Sequence, residues 1–431
     1  MIEKMTISDT ATKVEKSLKK RRRAQWRHRQ YGILAISLGM FALLALLISV
    51  LGRGLPAFQQ AVLNLEIKTD AVSLGVESLE DKNLFNTANF QLPIRLALRG
   101  LFPQARSRFE RRSLNKLVST GAGFKLREIL KSNPSLLGKT FKVEVPASDD
   151  VSAYIKGTVK SNSDGKAGKL NRQQVKWTDT LLEQGSLKIV FNSSFFRTAD
   201  SREPELAGIL GAIVGSALSL LVCLVISFPI GVLAAIHLEE FARPSKITDF
   251  IEVNINNLAA VPSIVFGLLG LAVFLNWFGM PRSAPLVGGL VLSLMTLPTI
   301  IIAARAALKS VPVSIRDAAL AVGASPLQAC FHHVVPLAMP GMLTGSILGM
   351  ARALGETAPL LMIGMVAFIA DVPSGITDPA TALPVQVYLW ADSPERAFAE
   401  KTAAAILVLL VFLLIMNLTA IILRKKFEVR Y

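Results

Sequence analysis

Two ionisable residues, Arg352 and Glu356, stand inside an otherwise apolar run that extends from Leu337 to Ile369. Their spacing of four residues predicts that both side chains lie on one face of a helix. A guanidinium is a planar fork of N–H donors that fits an oxyanion, and a nearby carboxylate would temper its attraction. The pair therefore indicates a path for an anion, with Arg352 as its guide. The alternative is an ion pair that only fixes helix packing, because pairing satisfies both charges without a substrate.

A second group of residues lies in a polar segment between two apolar runs. Asp317 is followed by Ala318 and Ala319, and Gly323 comes four residues later. Small alanine side chains allow another protein to approach a helix closely, Gly323 is placed to end that helix, and Pro336 to open the next one. The spacing predicts a short docking helix. An ordinary polar loop is the alternative.

Three other polar residues favour simpler interpretations. Arg305 lies near the end of an apolar run, so its long side chain is expected to extend to the lipid headgroups. His332 and His333 are adjacent but have no third ligand nearby, which favours surface contacts over a metal site. We expect no catalytic residue, no bound metal and no cofactor.

The elements that must position these residues are membrane helices. Apolar residues make up 52% of the 431-residue chain and charged residues only 18%, which favours the membrane class. A helix needs about 20 apolar residues to cross the hydrocarbon core. Six runs meet that length: Tyr31–Leu51, Leu206–Ile236, Leu258–Trp277, Leu286–Leu308, Leu337–Ile369 and Thr402–Leu423.

The cations that flank these runs predict the orientation of the chain. Lys19–Arg23 precede the first run, Lys309 and Arg316 follow the fourth, and Arg424–Lys426 follow the sixth. Cytoplasmic loops carry an excess of such residues. Both termini and the docking segment are therefore expected in the cytoplasm, and residues 52–205 outside. The net charge of +16 suits a membrane surface, and we expect lipid contacts but no nucleic acid.

The segment 52–205 has the composition of a soluble domain. It predicts one helix in Gln104–Lys131 and strands at Phe141–Val145 and Leu187–Phe191, where apolar residues alternate. Its length suffices for a small α+β domain.

The docking segment, residues 312–336, resembles the EAA loop of bacterial ABC importer permeases. Its acidic residue, two alanines, glycine and final proline have the spacing of that loop, with Asp317 in place of glutamate and His333 in place of an apolar residue. The resemblance implies a coupling helix that docks on an ATPase subunit.

Two further segments, Val261–Gly267 and Ala351–Pro359, are similar to phosphate permeases of the PstA type. Sulfate and molybdate permeases share the Arg-Ala-Leu-Gly-Glu part of the second segment. The Pro-Ser-Ile-Val-Phe-Gly sequence and the Thr-Ala-Pro ending favour phosphate. The resemblance covers Leu206–Tyr431, and the long insert after the first span resembles one subgroup of these permeases.

The resemblance implies an all-α polytopic protein of the bacterial inner membrane with six transmembrane helices in the type I ABC importer permease fold. A small α+β extracytoplasmic domain is inserted between helices 1 and 2. The implied divisions are a basic cytoplasmic segment (1–30), the first span (31–51), the insert (52–205), the permease core (206–423) and a cytoplasmic tail (424–431).

The implied partners are a homologous PstC-type permease, a PstB-type ATPase dimer and a PstS-type phosphate-binding protein. The chain itself would hydrolyse no ATP. Two alternatives stay open: a permease for sulfate or molybdate, and a membrane-anchored sensor that acts through the outer domain.

Overall fold

The computed structural model describes residues 7–76, 84–162 and 164–427. The chain forms two compact units that meet between Gly52 and Arg53. The first unit consists of the long helix α1 (Ile7–Gly54), which reaches two residues into the second. The apolar run predicted as the first span occupies the second half of α1.

Residues 55–205 belong to the second unit and form what we call the inserted domain. A short 3₁₀ turn, Leu55–Phe58, leads from α1 into it. Its further elements are β1 (Gln59–Lys68), α2 (Ala71–Leu74), α3 (Leu84–Thr87), α4 (Gln91–Leu101), α5 (Arg108–Asn115), α6 (Ala122–Ser132), β2 (Thr140–Pro146), α7 (Asp149–Ile155), α8 (Arg172–Glu183) and β3 (Leu187–Phe191).

The sheet of the inserted domain has the order β2-β1-β3, and both outer strands run antiparallel to β1. Leu63 at its centre lies opposite Val145 on one side and Leu187 on the other. One face of β1 buries alternate residues against α4 and α6, as expected of a strand whose side chains alternate between faces: Ala61, Leu63, Leu65 and Ile67. The two predicted strands are confirmed, whereas the central strand β1 was not predicted.

The single helix predicted in Gln104–Lys131 is wrong. A capping box formed by Ser107 and Glu110 begins α5 only after a turn, and α5 ends at Asn115. The backbone then leaves the helix because Ser119 donates from its amide to Pro146 at the end of β2. A second helix, α6, begins at Ala122.

The remaining helices follow the inserted domain. They are α9 (Leu210–Ile236), α10 (Lys246–Ala259), α11 (Ser263–Gly270), α12 (Pro285–Lys309), α13 (Val313–Ala321), α14 (Pro326–Ala329), α15 (Val335–Gly355), α16 (Ala358–Met362), α17 (Leu383–Ala391) and α18 (Arg396–Phe427). Wider π-helical turns extend α9 and α11 and join α14 to α15.

Five helices in the described ranges are long and apolar enough to cross a bilayer, and a bent helix pair makes a sixth crossing if it counts as one span. The predicted third span, Leu258–Trp277, covers only the end of the first helix of that pair and all of the second, so it is not one straight helix. The two parts of the pair, 246–259 and 263–277, meet at 100° around Pro262. Proline removes a backbone donor and disfavours helical conformation in the residue before it.

The predicted fifth span is also interrupted. Its helix ends at Gly355, and the short α16 starts at Ala358 with Pro359 in its first turn. The extension of this span to Ile369 was therefore wrong, because Pro359 lacks the amide hydrogen that would continue α15.

The membrane core is built around the contact between α9 and α12. Gly289 of α12 lies so close to α9 that a Cβ there would be 2.6 Å from the carbonyl oxygen of Ser219. Small residues let membrane helices approach in this way. Apolar residues of α9 and α12 form the core, and α15 packs against them.

Candidate functional site

The predicted ion pair between Arg352 and Glu356 forms, but the two residues do not lie in the same helix. Arg352 lies in the last turn of α15, and its Nε is 3.6 Å from Oε1 of Glu356. Glu356 follows the helix in an extended conformation, with φ −80° and ψ 121°. The prediction that both residues lie on one helix face is therefore wrong, because the helix ends between them.

The Arg352 side chain is on an open face of the chain. It is 53% exposed, and Leu348 one turn earlier is 64% exposed. Gly355 lies on the same face. A Cβ atom added to it would have no neighbouring atom within 4 Å. A half-exposed guanidinium with one long contact to a carboxylate keeps donors free for another partner.

The segment 312–336 contains the predicted short helix, α13. Asp317 and Ala318 are exposed on it, whereas Ala319 is buried against the rest of the chain. Gly323 follows the helix with φ +91°, a conformation that favours glycine, so the predicted helix end is confirmed.

Pro336 lies in the first turn of α15, as predicted, but a wider turn joins this helix to α14 before it. The helical run starts ten residues earlier at Pro326, where Ser325 and Gln328 form a capping box. Pro336 follows the wider turn 330–334 inside that run. The turn and α13 together form a compact feature that we call the coupling turn, residues 312–334.

The coupling turn exposes large apolar side chains beside the two small exposed groups. They are Val313, Leu320, Val322, Leu327 and Phe331, which are exposed by 41% to 86%. Several large apolar side chains exposed on one short segment favour a contact with another protein.

A set of ion pairs that sequence reasoning missed attaches the coupling turn to the membrane helices. Arg316 donates from Nη2 to Oε1 of Glu240 at 2.6 Å and from Nη1 to the carbonyl of Val311 at 2.8 Å. Glu240 lies in the π turn that ends the α9 helix. The side-chain hydrogen bond to Glu240 raises the pKa of Arg316 above its ordinary value, so the guanidinium stays charged.

Arg305 belongs to the same set, and the expectation that it extends to the headgroups is wrong. Its Nη2 is 2.6 Å from Glu252 of α10, and its Nε is 3.3 Å from Glu239 beside Glu240. Its side chain is only 17% exposed. Glu239 and Glu240, which follow the second apolar run, were the signal in the sequence for these ion pairs. The predicted topology places them at the same membrane face as the cations that follow the fourth run.

The histidines of the coupling turn, His332 and His333, are both exposed. In residues 7–76, 84–162 and 164–427, no three histidine, cysteine or acidic side chains come together in a way that could hold a metal ion.

Two family models match the chain. The model described as "Binding-protein-dependent transport system inner membrane component" matches residues 227–430, which include both candidate sites. Residues 15–164 match a domain of unknown function, DUF3333. The permease-like and inserted parts of the chain are thus recognised by separate models.

Similar proteins include the "Probable ABC transporter permease protein YqgI" of Bacillus subtilis (strain 168). It is 31% identical over 241 residues, which are 52% of this chain and 81% of that protein. The "Phosphate transport system permease protein PstA 1" of Mycobacterium tuberculosis (strain ATCC 25618 / H37Rv) is 32% identical over 220 residues, 50% of this chain and 70% of that protein.

A solved structure titled "Inward facing conformations of the MetNI methionine ABC transporter" aligns with a TM-score of 0.40 at 17% identity. The alignment covers 52% of this chain and 96% of that one. The chain is at least 30% identical in aligned sequence to these two permease relatives over 70% or more of their length. It belongs to the family of binding-protein-dependent transport system inner membrane components.

Proposed function

We propose that this chain is the permease subunit of an ATP-driven importer of inorganic phosphate. The observation that carries the proposal is its similarity to phosphate transport permeases of the PstA type, 32% identical over 70% of the length of one of them. The chain forms half of a translocation pore and performs no ATP hydrolysis itself.

Arg352 and Glu356 contribute to the substrate pathway. The open face of α15 supports this role, because a guanidinium left half exposed in an apolar region must meet water, lipid headgroups or another protein chain. A second, homologous permease placed against this face would put Arg352 on the path between the two subunits. Its planar fork suits a phosphate oxyanion.

The coupling turn docks on the ATPase. Asp317, Ala318 and the apolar side chains around them form the contact surface, while Ala319 packs inward. Gly323 and Pro336 shape the backbone around α13. Movement of the ATPase subunits reaches the membrane helices through the ion pairs of Arg316 and Arg305.

The complex contains a homologous permease of the PstC type, an ATPase dimer of the PstB type and a phosphate-binding protein of the PstS type. The coupling turn and both termini face the cytoplasm, and the inserted domain faces the opposite side. The flanking cations support this orientation.

Uptake of labelled phosphate into proteoliposomes that contain the full complex tests the proposed function. We expect ATP-dependent uptake that excess unlabelled phosphate suppresses and that sulfate and molybdate leave unchanged. A matched complex with an ATPase variant unable to hydrolyse ATP serves as the control.

Uptake of labelled sulfate or molybdate by the same complex, without uptake of phosphate, would assign the chain to another oxyanion. If the chain did not co-purify with an ATPase, the importer role itself would be wrong, and a sensor acting through the inserted domain would replace it.

A further inference from the structure

The inserted domain is held to the membrane helices by side chains as well as by its two chain connections. Helix α7 of the domain packs on the first turns of α18. Beyond its end, Lys156 reaches Glu400 of α18, with 3.3 Å between Nζ and Oε2. Thr158 donates to the other oxygen of the same carboxylate, also at 3.3 Å. The two charged side chains are 8% and 19% exposed, so water screens their attraction only weakly.

A second attachment involves Lys401, the next residue of α18. Its ammonium donates to the backbone carbonyl of Ala207, in the segment that leads into α9. The same ammonium lies 5.6 Å from the centre of the Phe195 ring of the inserted domain, a distance at which a cation is attracted to an aromatic face. Lys401 is 5% exposed. One buried cation thus contacts the inserted domain, the start of α9 and its own helix.

An apolar cluster fills the space around this lysine. Phe195 stands at its centre, 6.2 Å between ring centres from Trp390 of α17, which lies 6.0 Å from Phe398 of α18. The Trp390 indole donates to Asp200 at 2.9 Å. The cluster joins residues of the inserted domain, α9, α17 and α18: Ala57, Phe195, Ala207, Ile209, Ala212, Leu383, Trp390, Phe398, Ala404 and Ala405.

These three attachments oppose any independent motion of the inserted domain. Separation from α18 would leave the Lys156 and Glu400 charges without their partner and would remove the carbonyl and ring contacts of Lys401. It would also expose the aromatic cluster to water. A lid that opens and closes over the membrane helices would have to break all three attachments in each cycle.

We propose that the inserted domain, which matches a domain of unknown function up to residue 164, is a rigid brace that fixes the first turns of α9 and α18 to each other. The domain and these two helix ends move as one body when the complex changes state. Lys156 and Lys401 are its positioning residues. The inference rests on the proposed function only in assuming that the chain belongs to a complex that changes state with ATP.

Distance measurement between spin labels tests the brace directly. The full complex, with Cys223→Ser and Cys330→Ser, carries labels at Lys176→Cys on α8 and Ala399→Cys on α18, both exposed helical positions. A second pair, between Lys246→Cys at the exposed start of α10 and the ATPase, reports whether the complex has changed state. We expect the α8 to α18 distance distribution to stay the same in nucleotide-free and ATP-bound complexes, while the second pair shifts.

A charge exchange tests the positioning residues. Lys156→Glu places two carboxylates together, and we expect it to broaden the α8 to α18 distribution and to lower the uptake per ATP hydrolysed. The double variant Lys156→Glu with Glu400→Lys restores the pair, and we expect it to recover both. Lys160→Glu, at an exposed lysine of the same loop, is the matched control.

A shift of the α8 to α18 distance on ATP binding would overturn the brace and indicate a moving lid. An unbroadened distribution in Lys156→Glu, or no recovery in the double variant, would remove the role of Lys156. The distances need no substrate, so a complex that failed to take up phosphate would contradict the proposed function while leaving the brace testable.

Discussion

Arg316 of the coupling turn and Glu240 at the end of α9 form a forked ion pair, with both Nε and Nη2 of the guanidinium donating to the carboxylate. The same guanidinium donates to the carbonyls of Leu308 and Val311 at the end of α12. One side chain therefore fixes α13 to two membrane helices. Lysine has the charge but not the planar fork that makes these four contacts.

For Arg316→Lys we expect a stability loss of roughly 1.5 to 3 kcal/mol, the range for hydrogen bonds to charged groups. We also expect fewer phosphate ions transported per ATP hydrolysed, because α13 would no longer transmit motion rigidly. Thermal unfolding and coupled uptake assays of the full complex measure both. Arg243→Lys, at an exposed arginine, is the control. Equal coupling in the two variants would exclude Arg316 from transmission.

The exposed position of Ala318 predicts a specific effect of charge. We expect Ala318→Glu to insert normally but to lose co-purification with the ATPase, since a buried carboxylate without a partner disfavours a close contact. Ala367→Glu makes the same change at an exposed alanine outside the coupling turn and should retain the ATPase. If both variants bound the ATPase equally, α13 would not be the docking helix.

Gly323 has φ +91°, and no atom lies within 4 Å of the place where a Cβ would be. The cost of Gly323→Ala is therefore backbone strain rather than a clash, about 1 to 2 kcal/mol. We expect reduced coupling with normal membrane levels. Gly185→Ala, also at positive φ with no atom within 4 Å but in the inserted domain, controls for strain in itself. A full loss of coupling in both variants would show that the effect is general destabilisation.

Phosphate uptake should depend on the planar shape of the side chain at position 352 and not on its charge alone. We expect Arg352→Lys to reach the membrane at the normal level and to lower phosphate uptake by about tenfold or more, the equivalent of about 1.4 kcal/mol. The exchange of Arg352→Glu with Glu356→Arg restores an ion pair but should not restore uptake. Either normal uptake with lysine or full rescue by the exchange would leave Arg352 as a packing residue.

Burial raises the pKa of Glu205, in the segment before α9, to about 7 from its ordinary value of 4.5, and the nearby Asp149 and Glu203 carboxylates add to this effect. The folded chain therefore binds the proton of the Glu205 carboxyl group more tightly than the unfolded chain does. The free energy of unfolding therefore falls as pH rises from about 4.5 to 7.

Glu205→Gln removes that dependence. We expect the thermal midpoint of the variant, relative to the unchanged chain, to rise between pH 5 and pH 8. Glu183→Gln, at an exposed glutamate of α8, is the matched control. A difference between variant and unchanged chain that was constant across this range would show that Glu205 does not titrate there.

The sequence predicted most of the membrane helices because length and apolarity alone decide whether a helix can cross lipid. It failed where a run was long but interrupted. Pro262 and Pro359 mark those breaks in the sequence, but the apolar runs continue across both of them. The strand β1 was missed although Ala61, Leu63 and Leu65 alternate, because it lies directly after the first helix.

The candidate sites were only partly predictable. Residues close together in sequence, such as those of α13, could be grouped by their spacing. Ion pairs such as Arg316 with Glu240 join residues 76 positions apart. Sequence alone gives the sign of such charges and their approximate depth in the membrane, but the choice of partner depends on how α9 and α12 pack.

The end of α15 at Gly355 affects the electrostatic field around Arg352. The last four carbonyls of a helix lack partners within it, and together they carry about half a negative charge. Arg352 lies in that last turn, so this partial charge and Glu356 both offset its guanidinium. Under the proposed role, a passing anion meets a cation whose field is already weakened. Rapid permeation requires attraction strong enough for entry and weak enough for release, and the helix end sets that compromise through the backbone itself.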